Sequence, residues 1–498
     1  MFRVIYISLY CISYDGLSKF IHHSLNLFYI LFKGVFKMGE LSTKKLSTKE
    51  KLLPILTNKN VDIKKEMLAG LTTFLTMAYI IAVNPSILSE TGMPAGALVT
   101  STCLAASIAC ILMGLFANLP FALASGMGLN AYFAYSVVLG MGVSWKVALT
   151  AVFVEGIIFI VLSLFKIREA VVNAIPKNMK LAVTGGIGLF IAFIGLVNSG
   201  LVVADDSTMV ALGEFTPAVI ITIIGLVIIS VLNKKGVRGA ILWGILISSL
   251  IGWGYALINA EAAATLGIYL PGGVFKFEGI GEIAGKIDFG YVFHPDNIGM
   301  FISVVCTFLF VDFFDTVGTL VGVCSKAKML DKDGNVPNAG RALLVDAIGT
   351  TVGACLGVST VTTFVESATG VAEGGRTGYT SITVGILFLI AMFFSPIIVA
   401  IPACATAPAL IYVGYLMLEA VKEIEFDNIT EGVPAFLTIA AMPLTYSIGD
   451  GLTLGIISYV VINLIYNLIF AKRKEEKTNI SWVMYLLLVV FVLKIAFL

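Results

Sequence analysis

From about residue 67 to 471 the chain is a succession of apolar runs, most of them ~18–25 residues long, parted by short polar or glycine-rich joints. A hydrocarbon layer ~30 Å thick needs about 20 such residues per helix, so each run has the right length to cross it. The runs are too long and too little interrupted for barrel strands. Of 498 residues, 58% are hydrophobic and 13% charged, where soluble domains carry about a quarter charged. The 49 glycines suit membrane helices that pack closely. The fold class read from this pattern is an all-α polytopic protein of the lipid bilayer.

The formal net charge is +1, so charge points to no nucleic-acid partner. The seven cysteines are scattered, six of them in apolar segments, and no CxxC or Cys/His spacing occurs. Neither a zinc site nor a disulfide framework is indicated, and no cofactor or metal is expected. His22, His23 and His294 lie outside every apolar span downstream of residue 60. Proton handling inside the membrane therefore falls to carboxylates.

Membrane helices are expected near 67–89, 95–117, 121–140, 145–165, 177–198, 215–233, 237–257, 297–324, 341–358, 359–374, 378–395, 401–421, 432–448 and 450–471, fourteen in all. Lysines and arginines cluster before the first span and after the fourth, sixth, eighth and fourteenth, with Arg376 after the tenth. Opposite loops carry only Lys146, Lys276 and Lys286. The alternation places the even-numbered loops and the N-terminal tail in the cytoplasm of a plasma-membrane protein. The last apolar segment, 480–498, is either a fifteenth span or a segment lying along the membrane. A further alternative joins the stretch near 432–471 into one broken unit and makes 480–498 the true last helix. Residues 1–37 carry an apolar stretch broken by polar residues, with no A-x-A-like cleavage site. They are expected to be either an upstream start-site artefact or a segment loosely held at the membrane surface.

Seven spans plus seven point to an internal repeat. IPKNMKLAVTGGIGLFIAFIGL from Ile175 parallels IPACATAPALIYVGYLMLEAV from Ile401, and TPAVIITIIGLVIIS from Thr216 parallels VPAFLTIAAMPLTYS from Val433. An odd number of spans per half inverts the second copy, the usual build of secondary transporters. Two segments, 119–135 and 357–378, occupy matching places and neither reads as an uninterrupted helix. Each joins a short β-prone stretch to small residues. Backbone that leaves helical bonding at membrane depth is tolerated only within protein or against a watery cavity. Asn130 and Glu366 fall near these two breaks.

Residues 308–319, FLFVDFFDTVGT, place Asp312 and Asp315 three residues apart in an apolar helix with nothing basic inside it. One carboxylate at the bilayer centre costs ~3 kcal/mol or more. Such groups persist where they handle a polar substrate, an ion or a proton.

SGMGLNAYFAY (125–135), FLFVDFFDTVGTLVG (308–322), TTFVESATGVAEGGRTG (362–378), ATAPALIYVG (405–414) and VPAFLTIAAMPLTYSIGDG (433–451) occur in order. Together they resemble the nucleobase/ascorbate transporter superfamily, and most closely its AzgA-type branch of purine permeases. The resemblance spans roughly residues 50–498. It implies fourteen helices in two inverted seven-helix repeats, with interrupted third and tenth helices and short strands at the breaks. It also implies proton symport of guanine, hypoxanthine and adenine, and often a homodimer. Residues 61–165 and 297–395 would then form a substrate-carrying core, and 166–296 and 396–498 a gate, behind a largely cytoplasmic extension over 1–60. By motif position Asn130, Asp312, Asp315 and Glu366 correspond to the family's binding and coupling residues.

The chemistry of these residue types agrees. Asp312 and Asp315 at i and i+3 share a helix face that Thr316 and Thr319 continue. Two neighbouring carboxyls in a low-dielectric place do not both ionise readily, a property suited to carrying a proton with a cargo. Guanine presents N1–H and its 2-amino group side by side to a carboxylate; hypoxanthine presents N1–H alone; adenine pairs a donor with an acceptor. Glu366 is expected to accept from the base edge, with Asp312 a second binding carboxyl, Asp315 the proton-coupling or orienting group, and Asn130 bonded to a carbonyl or ring nitrogen. Phe133, Phe313 and Phe364 are candidates to stack on the base, worth about 1–3 kcal/mol by analogy with nucleic-acid stacking. Asp346 would orient the site from the ninth helix. The bland readings stand beside these: a structural hydrogen-bonder for each acid and for Glu155, a helix cap for Asn130, and plain packing for each phenylalanine.

Asp331, Asp333 and Asn335 of DKDGNVP lack the glutamate a calcium loop needs and read as a turn. GVAEGG and SGMGLN lack a Walker lysine. Rival readings are a xanthine, urate or uracil permease, an anion carrier on the same fold, or an ion channel. An anion carrier calls for a cation near the breaks, a channel for a repeated filter, and an enzyme for a nucleophile–base pair; none is evident in the sequence.

Overall fold

The computed structural model describes residues 61–164, 176–292, 297–326, 328–329, 336–470 and 478–497. Residues 1–37 and Asp331, Asp333 and Asn335 lie outside them. The first expected span is a broken helix, α1 (Ile63–Met77) and α2 (Ile80–Ser89), joined at Ala78 and Tyr79. The Asp62 side chain caps α1 by accepting from the Lys65 N–H. α3 (Ala95–Leu112) widens into a π-turn through Ala117. Then come β1 (Leu123–Ser125) and α4 (Met127–Ala131), which continues in π form to Gly140. The half is completed by α5 (Trp145–Leu164), α6 (Lys177–Asn198), the hairpin β2 (Val202–Asp205) and β3 (Met209–Leu212), α7 (Pro217–Lys234), α8 (Ala240–Ile258) and a short α9 (Ala260–Thr265).

The second half repeats the plan. α10 (Ile298–Lys326) and α11 (Ala339–Leu356) precede β4 (Val361–Thr363) and the six-residue α12 (Ser367–Ala372). α13 (Gly378–Ala391), α14 (Ser395–Val399), α15 (Ala403–Leu418), α16 (Ile429–Leu444), α17 (Ile448–Ile469) and α18 (Trp482–Phe497) follow. Among the described residues nine helices are long and apolar enough to cross a membrane, and four shorter apolar helices accompany them. Counted with the two interrupted elements, all fourteen expected positions are occupied in this multi-pass, inverted-repeat fold. Three residues separate α16 from α17, yet the two pack side by side, so they are a hairpin and not one broken unit. Segment 480–498 contributes α18, about 24 Å long, which packs on α17 and α10 through Val483, Met484, Leu487 and Phe491.

The two interrupted elements cross at the centre. β1 pairs antiparallel with β4, setting Leu123 opposite Thr363, Ala124 opposite Thr362 and Ser125 opposite Val361. Antiparallel pairing of equivalent strands is the arrangement an in-plane pseudo-two-fold demands. Two strands of three residues leave backbone groups over, and buried side chains take them up. Cys110 Sγ lies 3.1 Å from the Leu123 N–H and 3.2 Å from the Leu123 carbonyl. Ser367 Oγ accepts from the Ala122 N–H, Thr350 donates to the Val361 carbonyl and Ser381 donates to the carbonyls of Leu119 and Phe121. An irregular stretch thereby becomes affordable away from water.

Helix pairs reflect the repeat. α3 packs on α13, α5 on α11, and α6 on α15. Glycines permit two of these approaches: a Cβ on Gly378 would stand 2.0 Å from the Gly114 carbonyl, and one on Gly414 would stand 2.3 Å from that of Gly188.

Candidate functional site

The acids from the two halves gather around the crossed strands. Asp312, on α10, is fully buried, as is Asp346 on α11. Thr316 lies between them: its hydroxyl is 3.3 Å from Asp312 Oδ1, 3.0 Å from Asp346 Oδ1 and 2.8 Å from the Thr362 hydroxyl of β4. Asp315 lies three residues further along α10, within electrostatic reach of Asp346 and Glu366. Asp315 is partly exposed. It lines a crevice with Gly128, Leu129 and Val311 on one side and Val183, Thr184, Ile187 and Met417 of α6 and α15 on the other. The crevice holds about 20 Å³, room for a water and not for a heterocycle.

Residues i and i+3 of a helix point roughly 60° apart, and here that angle separates two environments. Asp315 meets the crevice. Asp312 turns inward, has no exposed surface and does not line the crevice. Glu366 precedes α12, is half-buried, and accepts a 2.6 Å hydrogen bond from the Tyr79 hydroxyl.

Asn130 is also fully buried. Its Oδ1 accepts from Ser125 at 2.7 Å and from Ser359, and the two serine hydroxyls are 3.0 Å apart. It ties β1 to the approach of β4 and does not line the crevice. Glu155 accepts from Thr360 at 2.8 Å and braces the same approach from α5. Phe133 is wholly enclosed in the central apolar cluster and Phe364 is 6% exposed; neither lines the crevice. Phe313 stacks on Phe159, centroids 6.3 Å apart, on the far face of α10. The three rings pack; the structure does not bring them to the crevice.

Tyr79, Thr316, Thr362 and Ser359 complete the network, yet only Thr316 attracts notice in the sequence. Tyr79 sits at the α1–α2 joint, six residues before Pro85. A hydroxylated aromatic at a broken helix was the one signal available for it.

The permease-family model Xan_ur_permease matches residues 64–453. The chain is 43% identical over 446 residues to the guanine/hypoxanthine permease PbuG of Bacillus subtilis, covering 87% of this chain and 97% of that protein. It is 39% identical over 402 residues to the adenine permease AdeP of Escherichia coli, covering 80% and 87%. A Methanocaldococcus jannaschii protein bearing a provisional permease name is 48% identical over 440 residues, covering 88% and 96%. Among solved structures, the transmembrane domain of the cyanobacterial bicarbonate transporter BicA superposes with a TM-score of 0.58 at 14% identity, over 79% of this chain and 97% of that one. At that identity the likeness concerns the fold alone.

Proposed function

The chain belongs to the Xan_ur_permease family of permeases and is a transporter, not an enzyme; from that premise we propose that it imports purine nucleobases together with protons by alternating access. The observation that supports the reading is that Asp315 of α10 lines the crevice toward α6 and α15 while Glu366 stands at the break before α12. The purine substrate is supported by the relatives, which are guanine/hypoxanthine and adenine permeases. Glu366 accepts from the base edge. Asp315 receives the proton, and Asp312 and Asp346 stand behind it, joined through Thr316. Asn130 holds the breaks in register rather than touching the base.

α1 to α5 with α10 to α13 form the moving core, and α6 to α9 with α14 to α18 the gate. The crevice is too small for a purine, so admission requires the core to shift against the gate, as an elevator-like carrier does. Neutralising a buried carboxylate lowers the cost of carrying the site across the apolar barrier. Inward proton flow also draws on membrane potential, about 2.3 kcal/mol per charge per 100 mV. The tail before α1 lies in the cytoplasm of the plasma membrane, and a homodimer is the expected assembly.

Radiolabelled hypoxanthine uptake into cells lacking their own purine permeases tests this. Guanine, hypoxanthine and adenine compete while xanthine, urate and uracil do not, and a protonophore abolishes accumulation. Competition by uracil or xanthine alone moves the substrate to the rival class; accumulation indifferent to the protonophore removes proton coupling.

A further inference from the structure

The joint between α1 and α2 is fastened to the start of α12 at three points. Tyr79 donates to Glu366 Oε1 at 2.6 Å. The hydroxyls of Thr76 and Thr369 are 3.0 Å apart, and Thr369 donates to the Glu366 carbonyl at 2.7 Å. Gly370 lies so near α1 that an added Cβ would stand 2.5 Å from the Ala69 carbonyl. Tyr79 is 1% exposed, so its ring has one place and its hydroxyl one direction. At 2.6 Å the hydroxyl is within close O–H···O hydrogen-bonding range of the carboxyl. Asp315 lies within electrostatic reach of the same hydroxyl.

Resting on the purine reading above, we infer that Tyr79 is a specificity-determining positioning residue: by donating to Glu366 it holds that carboxylate as an acceptor-only edge, which selects purines with an N1–H donor, guanine and hypoxanthine, over adenine. A tyrosine hydroxyl has one proton. Once that proton is directed at Glu366, only lone pairs remain on the phenolic oxygen for a ligand, and the ionised carboxylate likewise offers only lone pairs. Guanine answers with two adjacent donors and hypoxanthine with one. Adenine can offer its 6-amino donor to that edge but sets the N1 lone pair beside it, so an acceptor faces an acceptor away from water, a mismatch that recognition sites penalise heavily. Without the tyrosine proton, Glu366 is free to keep its own and donate to adenine N1.

Tyr79→Phe removes the hydroxyl and keeps the ring. Thr76→Val removes the neighbouring fastening, which does not reach the carboxylate. Inhibition constants of hypoxanthine and adenine are measured against labelled hypoxanthine uptake, with each variant quantified at the cell surface. Wild type favours hypoxanthine; Tyr79→Phe narrows the ratio by about tenfold or more, as expected for a hydrogen bond to a charged group; Thr76→Val keeps the wild-type ratio. An unchanged ratio in Tyr79→Phe overturns the inference, as does an equal shift in Thr76→Val or a wild type that favours adenine. Should Tyr79→Phe not reach the surface, Glu366→Gln, which replaces one acceptor oxygen by a donor, must narrow the ratio in the same direction, and an unshifted ratio there overturns the inference. A wild type that takes up no purine ends the function reading itself, whereas purine uptake with an unshifted ratio ends only this one.

Discussion

Asp315 differs from its helix neighbour Asp312 in one respect that matters for a carrier: it has a surface in the crevice. A group that exchanges protons with a passing cargo needs such a surface. Asp315→Asn keeps the volume and polarity of the side chain, so the protein is expected to fold and reach the membrane. It removes the site that binds and releases the proton. Exchange of labelled for unlabelled purine across the membrane should persist, while uphill accumulation falls to no more than the outside concentration. Counterflow and net uptake in the same vesicles check this; concentrative uptake at the wild-type level counts against the coupling role. The acids were visible in the sequence because charge at bilayer depth is rare and costly. Their division of labour was not, because it depends on which way α10 is rotated against α11 and α6. Asn130 illustrates the same limit: its partner Ser359 lies 229 residues away, and no local pattern announces the pair.

At the scale of elements, the breaks were legible as interruptions and their pairing was not. Val361–Thr363 is β-prone, Leu123–Ser125 is not, each is too short to stand alone, and only the inverted repeat brings one to the other. The expected first span missed the α1–α2 joint, since a run of apolar residues around Ala78 and Tyr79 carries no local breaker until Pro85. The half-helix α12 is held by its approach to α1, and Gly370 is the contact that sets the distance. An added Cβ would stand 2.1 Å from Thr73 Oγ1 as well as 2.5 Å from the Ala69 carbonyl, and backbone cannot yield as a side-chain tip can. Gly370→Ala is therefore expected to destabilise by about 1–3 kcal/mol, as overpacking does, and to weaken purine binding by displacing Glu366. Gly254→Ala is the control: it faces open space within α8, so it should leave purine binding unchanged and stability unchanged or slightly raised by helix propensity. Thermal unfolding of the detergent-solubilised protein, with and without hypoxanthine, reads both effects. A Gly370→Ala protein as stable as wild type would show that α12 seats independently of α1.

At the scale of the whole molecule, the two helix sets touch at contacts remote from the acids. Tyr446, in the α16–α17 turn, has φ 54°, a left-handed conformation that a bulky residue rarely adopts. Its ring meets Tyr135, Phe190 and Phe193 edge-on at 5.8, 5.7 and 5.7 Å, and its carbonyl accepts from Ser136 at 3.2 Å. Asn198 donates to the Tyr135 hydroxyl at 2.8 Å. Elsewhere Arg238, between α7 and α8, is paired with Glu373, which follows α12. Both contacts join the proposed core to the proposed gate, so a core that slides must break at least one of them in each cycle. Cysteines replacing Tyr135 and Tyr446, or Arg238 and Glu373, bring that requirement under control once the partly exposed Cys306 and Cys355 are changed to serine. A short, reducible bis-thiol reagent across either pair should stop uptake, and a reductant should restore it. Asn178 and Glu431 are 2.7 Å apart within the gate. Cysteines there, bridged by the same reagent, should leave uptake intact, because that distance need not change. Uptake that continues with a core–gate pair fully bridged would mean that purine passes without relative motion of the two sets. The small crevice would then have to open by side-chain movement around Asp315 alone.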